Sequence, residues 1–484
     1  MPEVSAEPTT QGQEAPRGGW QPYHTLWAML LGGWLFSYAD RTITGPVVTW
    51  LIEHDHGMLG SASHPHALGG LIGSLFFAGY MLTQFPGGYL GDRFGHRTML
   101  AVSLLWAGVA TLASGLMSGL IAFVVLRVLT GLGEGVFYSN DRSLIAQRTP
   151  PAKAGLGMGV AITGLSIGLT IATISAPYLI DWGGEVLGEE DAWRMPFLVL
   201  GGATLAFGWA TAVYMRRIGG PLKATGSTLR LLGISAVLCA AVMAVYLIAD
   251  GAGMPSWGVA ILECVLAFLL IGAIFARRSG RLGAVSRNRN VLLLSFAFIA
   301  VMWNLWFFSF WSVSIVADAA HSSFQNAALV AAFNAGAGIL GFPVGGRLSD
   351  QAKARGWGRR PLLIAFTVVQ GVLVLVFAAY LQTHERPSLW VMSVLLFVTS
   401  LFFNALQPMA HALLNDVVDA AERGAAFGLF NLVGEIGAVI SPALSGTLFD
   451  HYGSWTHAVY IDGALMLVSA LLYMLIREHT ARAA

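Results

Sequence analysis

Gly87-Gly88-Tyr89-Leu90-Gly91-Asp92-Arg93-Phe94-Gly95-His96-Arg97 separates two apolar runs, and a worn copy, Gly345-Gly346-Arg347-Leu348-Ser349-Asp350 followed by Arg359 and Arg360, separates two others further along. A second echo links Gly155 and Gly159 to Gly424 and Gly428. The chain therefore reads as a duplication. Two helical halves related in this way suit alternating access, in which the halves rock about a site near the middle of the membrane.

The residues around these motifs agree with that reading. Of 484 residues, 56% are hydrophobic and only 11% charged, too little polar surface to keep a soluble fold in solution. The apolar residues fall in runs of roughly 20, enough to cross a hydrocarbon layer about 30 Å thick as helices. The periodicity predicts helices over Leu26 to Leu51, Leu68 to Leu90, Met99 to Met117, Ala122 to Ser143, Gly155 to Ile180 and Phe197 to Met215. Two further runs lie near Leu231 to Ile248 and Val259 to Phe275. Six more cover Val291 to Val316, Ala327 to Gly345, Leu362 to Tyr380, Leu389 to Leu414, Ala425 to Leu448 and Ala458 to Ile476. The expected fold is an all-α membrane protein of about fourteen helices. Its segments are a polar, disordered tail (1–23), a six-helix half (24–217), an inserted two-helix hairpin with linkers (218–288), a second six-helix half (289–478) and a short tail (479–484). The 58 glycines fit a membrane bundle, where small residues let backbones approach closely.

Lys and Arg set the expected orientation. Arg93 and Arg97, Arg142, Arg148 and Lys153, Arg216, Arg217 and Lys223, Arg277 to Arg289, Arg347 to Arg360, and Arg423 occupy alternate loops, which are therefore read as cytoplasmic, with both termini on that side. A net charge of +1 without a basic block excludes nucleic acid as a partner. Cys239 and Cys264 both sit in apolar runs and read as small core residues. With no phosphate-cradling lysine loop and no nucleophile or metal motif, neither an enzyme nor an ATP-driven pump is supported, and no cofactor is expected. Four histidines in the first external loop, His54, His56, His64 and His66, read as a solvated segment rather than a metal site.

An ionisable group near mid-membrane costs several kcal/mol unless paired or placed on a wet cavity, so each is a candidate for function. Asp40 and Arg41 lie in the middle of helix one. Arg127 and Glu134, seven residues apart in helix four, share a face about 10 Å apart along the axis. Arg41 and Arg127 are read as grips for a substrate carboxylate, which a guanidinium holds through two parallel hydrogen bonds, and Asp40 and Glu134 as proton carriers. The competing reading is a static ion-pair network, and Arg41, turned some 100° from Asp40, also suits packing. Tyr80 and Gln84, with Asn404, Gln407 and His411, form further polar ladders; Tyr80, Gln84, Asn404 and Gln407 are read as substrate-binding groups that complete the cavity, the competing reading being interhelical hydrogen bonds. Asn431 and Glu435 are taken as structural, and Glu263 of the hairpin is given no role. Trp303, Asn304, Trp306, Phe307, Phe310 and Trp311 make an aromatic stripe that serves either packing or a substrate wall.

The Asp92 segment resembles the loop signature of the major facilitator superfamily, and Arg127-x-x-x-Gly131-x-Gly133 resembles its helix-four motif. Tyr38-Ala39-Asp40-Arg41, Phe76-Phe77-Ala78-Gly79-Tyr80, Gln84-Phe85-Pro86-Gly87-Gly88 and Gly133-Glu134-Gly135 are similar to the anion:cation symporter branch. That branch has twelve helices, so the hairpin between the halves and the extended histidine loop are additions. The resemblance implies a monomeric secondary transporter of the cytoplasmic (inner) membrane that takes up a small organic anion, such as a sugar acid, with protons, sodium being the open alternative. It also implies substrate contacts at Tyr80 and Asn404 and a cytoplasmic gate at Gly88, Asp92, Arg93 and Arg97, echoed by Asp350. The alternative expectation is a proton-coupled antiporter exporting a drug or metabolite. Against it, Ala176-Pro177 in helix five lacks the glycine-dense motif of drug antiporters.

Overall fold

The computed structural model describes residues 19–54, 57–150, 153–276, 285–419 and 422–477. Most of both expected tails, His56 and the linker 277–284 therefore lie outside the described residues.

The first half contains α1 (Pro22–Glu53), α2 (Pro65–Phe94), α3 (His96–Ser114), α4 (Leu120–Arg148), α5 (Ala154–Leu187) and α6 (Met195–Gly219). The inserted hairpin is α7 (Ala224–Gly251) and α8 (Ser256–Ala276). The second half contains α9 (Arg289–Ala320), α10 (Phe324–Gly336), α11 (Gly338–Ala354), α12 (Arg360–Thr383), α13 (Leu389–Asp416), α14 (Arg423–Tyr452) and α15 (Thr456–Met474). Among the described residues thirteen segments are long and apolar enough to span a membrane, with α10 and α11 counted together as Phe324–Ala354. The expected single helix over Ala327 to Gly345 is broken at Ala337, between Gly336 and Gly338, two residues with little helix propensity. α1 is as long as its neighbours but carries Asp40 and Arg41 at its centre, and it packs as the first helix of the bundle.

The packing repeats the duplication. In the first half α1 runs along α5, α2 along α4 and α3 along α6. With α10 and α11 treated as one broken helix, the second half pairs its members in the same order: α9 with α14, α11 with α13 and α12 with α15. Close approach makes these crossings possible. A Cβ on Gly135 would strike the carbonyl of Tyr80 across the α4–α2 crossing, and one on Gly437 would strike that of Ile299 across α14–α9.

The lobes meet along α1–α9, α2–α14 and α5–α10. Their tightest joints lie toward the end of the bundle away from the arginine-rich loops, where a Cβ on Gly45 would collide with the Phe310 backbone and one on Gly70 with the Pro442 backbone. The hairpin does not stand clear of the core. α7 lies along α2, α3 and α4, and α8 lies on α2 and α14, so the insertion covers one seam between the lobes. Trp209, Val237, Leu269, Trp390 and Leu471 are exposed, as lipid-facing side chains are in a membrane bundle.

The motif loop turns later than its glycines suggest. α2 continues through Gly87, Gly88 and Gly91 to Phe94, and the chain reverses at Gly95, whose φ of +91° lies where a side chain would be strained. The earlier glycines serve packing, since a Cβ on Gly87 would meet the α4 backbone at Val136 and one on Gly91 would meet Asn140.

Candidate functional site

Residues 40 and 41 are neighbours on α1 but point about 100° apart, so each reaches a different partner on α4. Arg41 turns toward the lobe interface. Its Nε donates to Glu134 Oε2 at 2.7 Å and its Nη2 to Ser37 Oγ at 2.9 Å. Ser37, one turn earlier, donates to the same Glu134 oxygen at 2.6 Å. The guanidinium carbon lies 4.1 Å from the Tyr80 ring centroid, 4.6 Å from Tyr38 and 5.9 Å from Trp306. Trp306 comes from α9 and stacks on Tyr38 at 5.5 Å, so both lobes contribute rings around this one cation.

Asp40 turns the other way, into the first lobe. Its Oδ1 accepts from Thr111 Oγ1 at 2.6 Å and from Arg127 Nη1 at 3.3 Å. Arg127 Nη2 donates to Ser114 at 2.9 Å and to Thr130 at 3.2 Å, and Phe197 lies under its guanidinium at 5.0 Å. Arg127 is 0% exposed. Sequence spacing put Arg127 and Glu134 on one face of α4, and it gave no sign that Arg127 is enclosed by Ser114 of α3 and Phe197 of α6 while Glu134 meets Arg41 beside Trp306 of the other lobe. The result is two separate buried ion pairs, one inside the first lobe and one at the interface.

Around the interface pair, Tyr80 and Gln84 are buried on α2, with Gln84 Nε2 3.4 Å from the Tyr80 hydroxyl. On α13, Asn404 donates to the Ser400 carbonyl at 2.8 Å and lies beside Gly338 and Gly341, where α11 crosses. The Gln407 Nε2 is buried with no partner, and His411 is held by the Gln407 carbonyl at 2.8 Å among Phe298, Phe427 and Phe430. Asn431 bridges the lobes, its Nδ2 donating to the Tyr138 hydroxyl at 2.6 Å.

Three groups outside the expected binding set also stand out. Glu435 is 6% exposed at the interface and is met by Gln84 and the charge of Arg41. Asp462 on α15 is buried inside the second lobe against the Asn304 amide. At the arginine-poor end Asp450 of α14 accepts from the His66 backbone at 3.3 Å and the Ala67 backbone at 2.8 Å, with His66 Nδ1 also 2.8 Å away. A carboxylate from one lobe thus caps the first turn of a helix in the other. Trp311, Phe449 and Trp455 surround His66. A cavity of about 640 Å³ with Trp50, Glu53, Asp181 and Asp318 in its walls lies at this end. The intramembrane acids were visible as ionisable residues in apolar runs, whereas the His66 contact depends on the start of α2 and the end of α14 being brought together by the fold.

At the arginine-rich end Asp92 is 76% exposed and lies 3.5 Å from His96 of its own lobe. Arg97 donates to the Met215 and Gly219 carbonyls at 2.6 Å, Arg93 lies 5.5 Å from the Phe94 ring and Gly88 faces Ser139. In the second copy of the motif Asp350 pairs with Arg359 at 2.8 Å, and Arg359 also binds Asp416 at 2.9 Å.

Comparison with known proteins places this geometry among transporters. A family model described as Major Facilitator Superfamily matches residues 30–355 and 291–484. The chain is 25% identical over 461 residues to the Probable sulfoacetate transporter SauU of Cupriavidus necator, covering 94% of this chain and 93% of that protein. It is 23% identical over 409 residues to the Hexuronate transporter of Bacillus subtilis, covering 83% and 84%. In fold it is similar to a bacterial homolog of the human lysosomal transporter Spinster, in an inward-facing and occupied conformation, with a TM-score of 0.68 over 95% of this chain and 97% of that one at 14% identity.

Proposed function

The chain belongs to the major facilitator superfamily, and on that premise we propose that it takes up a small organic anion by proton symport. It is a multi-pass membrane transporter and not an enzyme. Sulfoacetate and hexuronate, the cargoes named for its relatives, are organic acids. The observation that carries the reading here is the Arg41–Glu134 pair, sunk at the lobe interface beneath rings from both lobes.

In the empty site Glu134 occupies the guanidinium that an incoming carboxylate would use. Removing one partner of a buried pair costs about 3–5 kcal/mol, so neither charge is released without a replacement. A proton on Glu134 neutralises it, and a substrate carboxylate then takes over Arg41. Proton and anion enter as a neutral set, so loading leaves the net charge at the seam unchanged. Asp40 is the second proton acceptor, with Arg127 as its fixed counter-charge in the enclosed pocket. Tyr80, Gln84, Asn404 and Gln407 line the path as hydrogen-bonding groups for the rest of the cargo.

With the arginine-rich loops on the cytoplasmic side, the joints at Gly45, Gly70 and Asp450 close the external end. Asp450 and His66 are then the external lock, and Asp92, released here, forms the opposing lock with Arg93, Arg97 and Asp350 when the lobes rock the other way. Asp450→Asn weakens a charge-assisted cap worth about 1 kcal/mol, shifting the balance of states severalfold toward the outward-open form. Labelling of a cysteine placed in the external seam reads this shift, and unchanged accessibility would remove Asp450 from the gate.

The reading is tested with purified protein in proteoliposomes. An inward proton gradient is expected to drive accumulation of an organic acid above its external concentration, and a proton-conducting ionophore to abolish it. Accumulation driven only by an outward-directed gradient would identify antiport instead.

A further inference from the structure

The proposed cycle leaves one interface carboxyl unused. Glu435 sits on α14 one turn from Asn431, is 6% exposed, and has a buried Oε2 with no hydrogen-bond partner. The side chain faces the Gln84 amide and the Arg41 guanidinium across the seam. The same wall carries the Asn431 amide and the Tyr138 hydroxyl, which are joined at 2.6 Å.

Among the described residues few cations lie near this seam. Arg127 is enclosed by Asp40, Ser114 and Thr130, and Arg142 is held by Asp141 at 2.6 Å. Once Glu134 takes a proton, Arg41 is the one guanidinium at the seam whose partner has been neutralised, and Glu435 balances it. A cargo with one negative group leaves a single net negative charge among these groups. A cargo with two leaves twice that, with its second anion directed at a carboxylate in a poorly screened interior.

We propose that Glu435 is a specificity-determining residue that makes the site selective for organic acids with one anionic group and a hydroxylated remainder. This rests on the organic-anion reading above. Arg41 holds the single carboxylate, and Glu435, with Asn431 and Tyr138, receives the hydroxylated end. Glu435 accepts hydrogen bonds from hydroxyls and repels a second carboxylate there.

Matched pairs test the inference, because gluconate and glucarate, or galactonate and galactarate, differ only in whether C6 is an alcohol or a carboxylate. Competition is measured in proteoliposomes that exchange a labelled acid, or by thermal shift of the purified protein. The wild type is expected to favour the one-carboxylate member at least about tenfold, and Glu435→Gln to bring the two within about threefold by improving the diacid. Asn431→Asp places a second acid on the same wall and is expected to widen the gap, which gives an independent check if Glu435→Gln folds poorly. Equal competition by the diacids in the wild type, or a ratio unchanged in both variants, would overturn the inference while leaving the transporter reading intact. If no acid of either kind competes, or if binding survives Arg41→Ala, the organic-anion reading fails and this inference with it.

Discussion

Arg41→Lys is expected to lower substrate uptake at least about a hundredfold while the protein still folds in the membrane, a loss of about 2.7 kcal/mol of binding to the cargo. Lysine keeps the positive charge, so Glu134 is not left as a lone buried anion and the α1–α4 contact survives. What disappears is the planar fork. Arg41 spreads its donors over Glu134 Oε2 and Ser37 Oγ while lying between the rings of Tyr38 and Tyr80, and an ammonium reproduces neither the spread nor the stacking. If the four charges were only a static brace, this substitution would transport nearly as well as the wild type. Uptake kinetics in proteoliposomes, with protein recovery and thermal stability as controls, distinguish the two.

Glu134→Gln is expected to separate binding from coupling. Glutamine has the shape of the protonated acid and its carbonyl still accepts from Ser37, but it no longer holds Arg41 as an ion pair. Exchange of labelled for unlabelled acid, which needs no net proton movement, stays within about fivefold of wild type, whereas accumulation driven by a proton gradient falls at least about tenfold. In the wild type, apparent affinity rises as pH falls, because protonation of Glu134 releases Arg41. In the variant Arg41 is already released and the dependence flattens. Full accumulation in Glu134→Gln would show that the proton travels elsewhere, and Asp40→Asn would then be the variant to carry the same loss.

Much of the fold was legible in the sequence for one physical reason: lipid demands long apolar helices, and the few polar residues interrupting them are conspicuous. Asp40, Arg41, Arg127 and Glu134 stood out in that way, as did the repeated glycine-aspartate loop. The pairing among the four did not. Their spacing gave directions around each helix, but whether Arg41 or Arg127 meets the interface depends on which neighbours each side chain reaches: Arg127 is closed in by Ser114 of α3 and Phe197 of α6, whereas Arg41 lies beside Trp306 of the other lobe. The same gap explains Glu435, which was taken as one half of a structural i, i+4 pair with Asn431. Its importance comes from Gln84 and Arg41 of the opposite lobe, residues hundreds of positions away in the chain. The α10–α11 break was missed because glycines in a membrane helix serve packing as often as turning. Nothing in the sequence assigned the hairpin docking partners; α8 lies on the α2–α14 seam, with Glu263 buried and both of its carboxyl oxygens unpartnered.

Proton uptake on substrate binding, followed with an indicator dye in weakly buffered detergent solution, tests the exchange of partners at Arg41 most directly. Wild-type protein should withdraw protons from solution as the organic acid is added, and Glu134→Gln should take up about one proton fewer per bound acid. Substrate binding without net proton uptake in the wild type, or the same uptake in both proteins, would contradict the account.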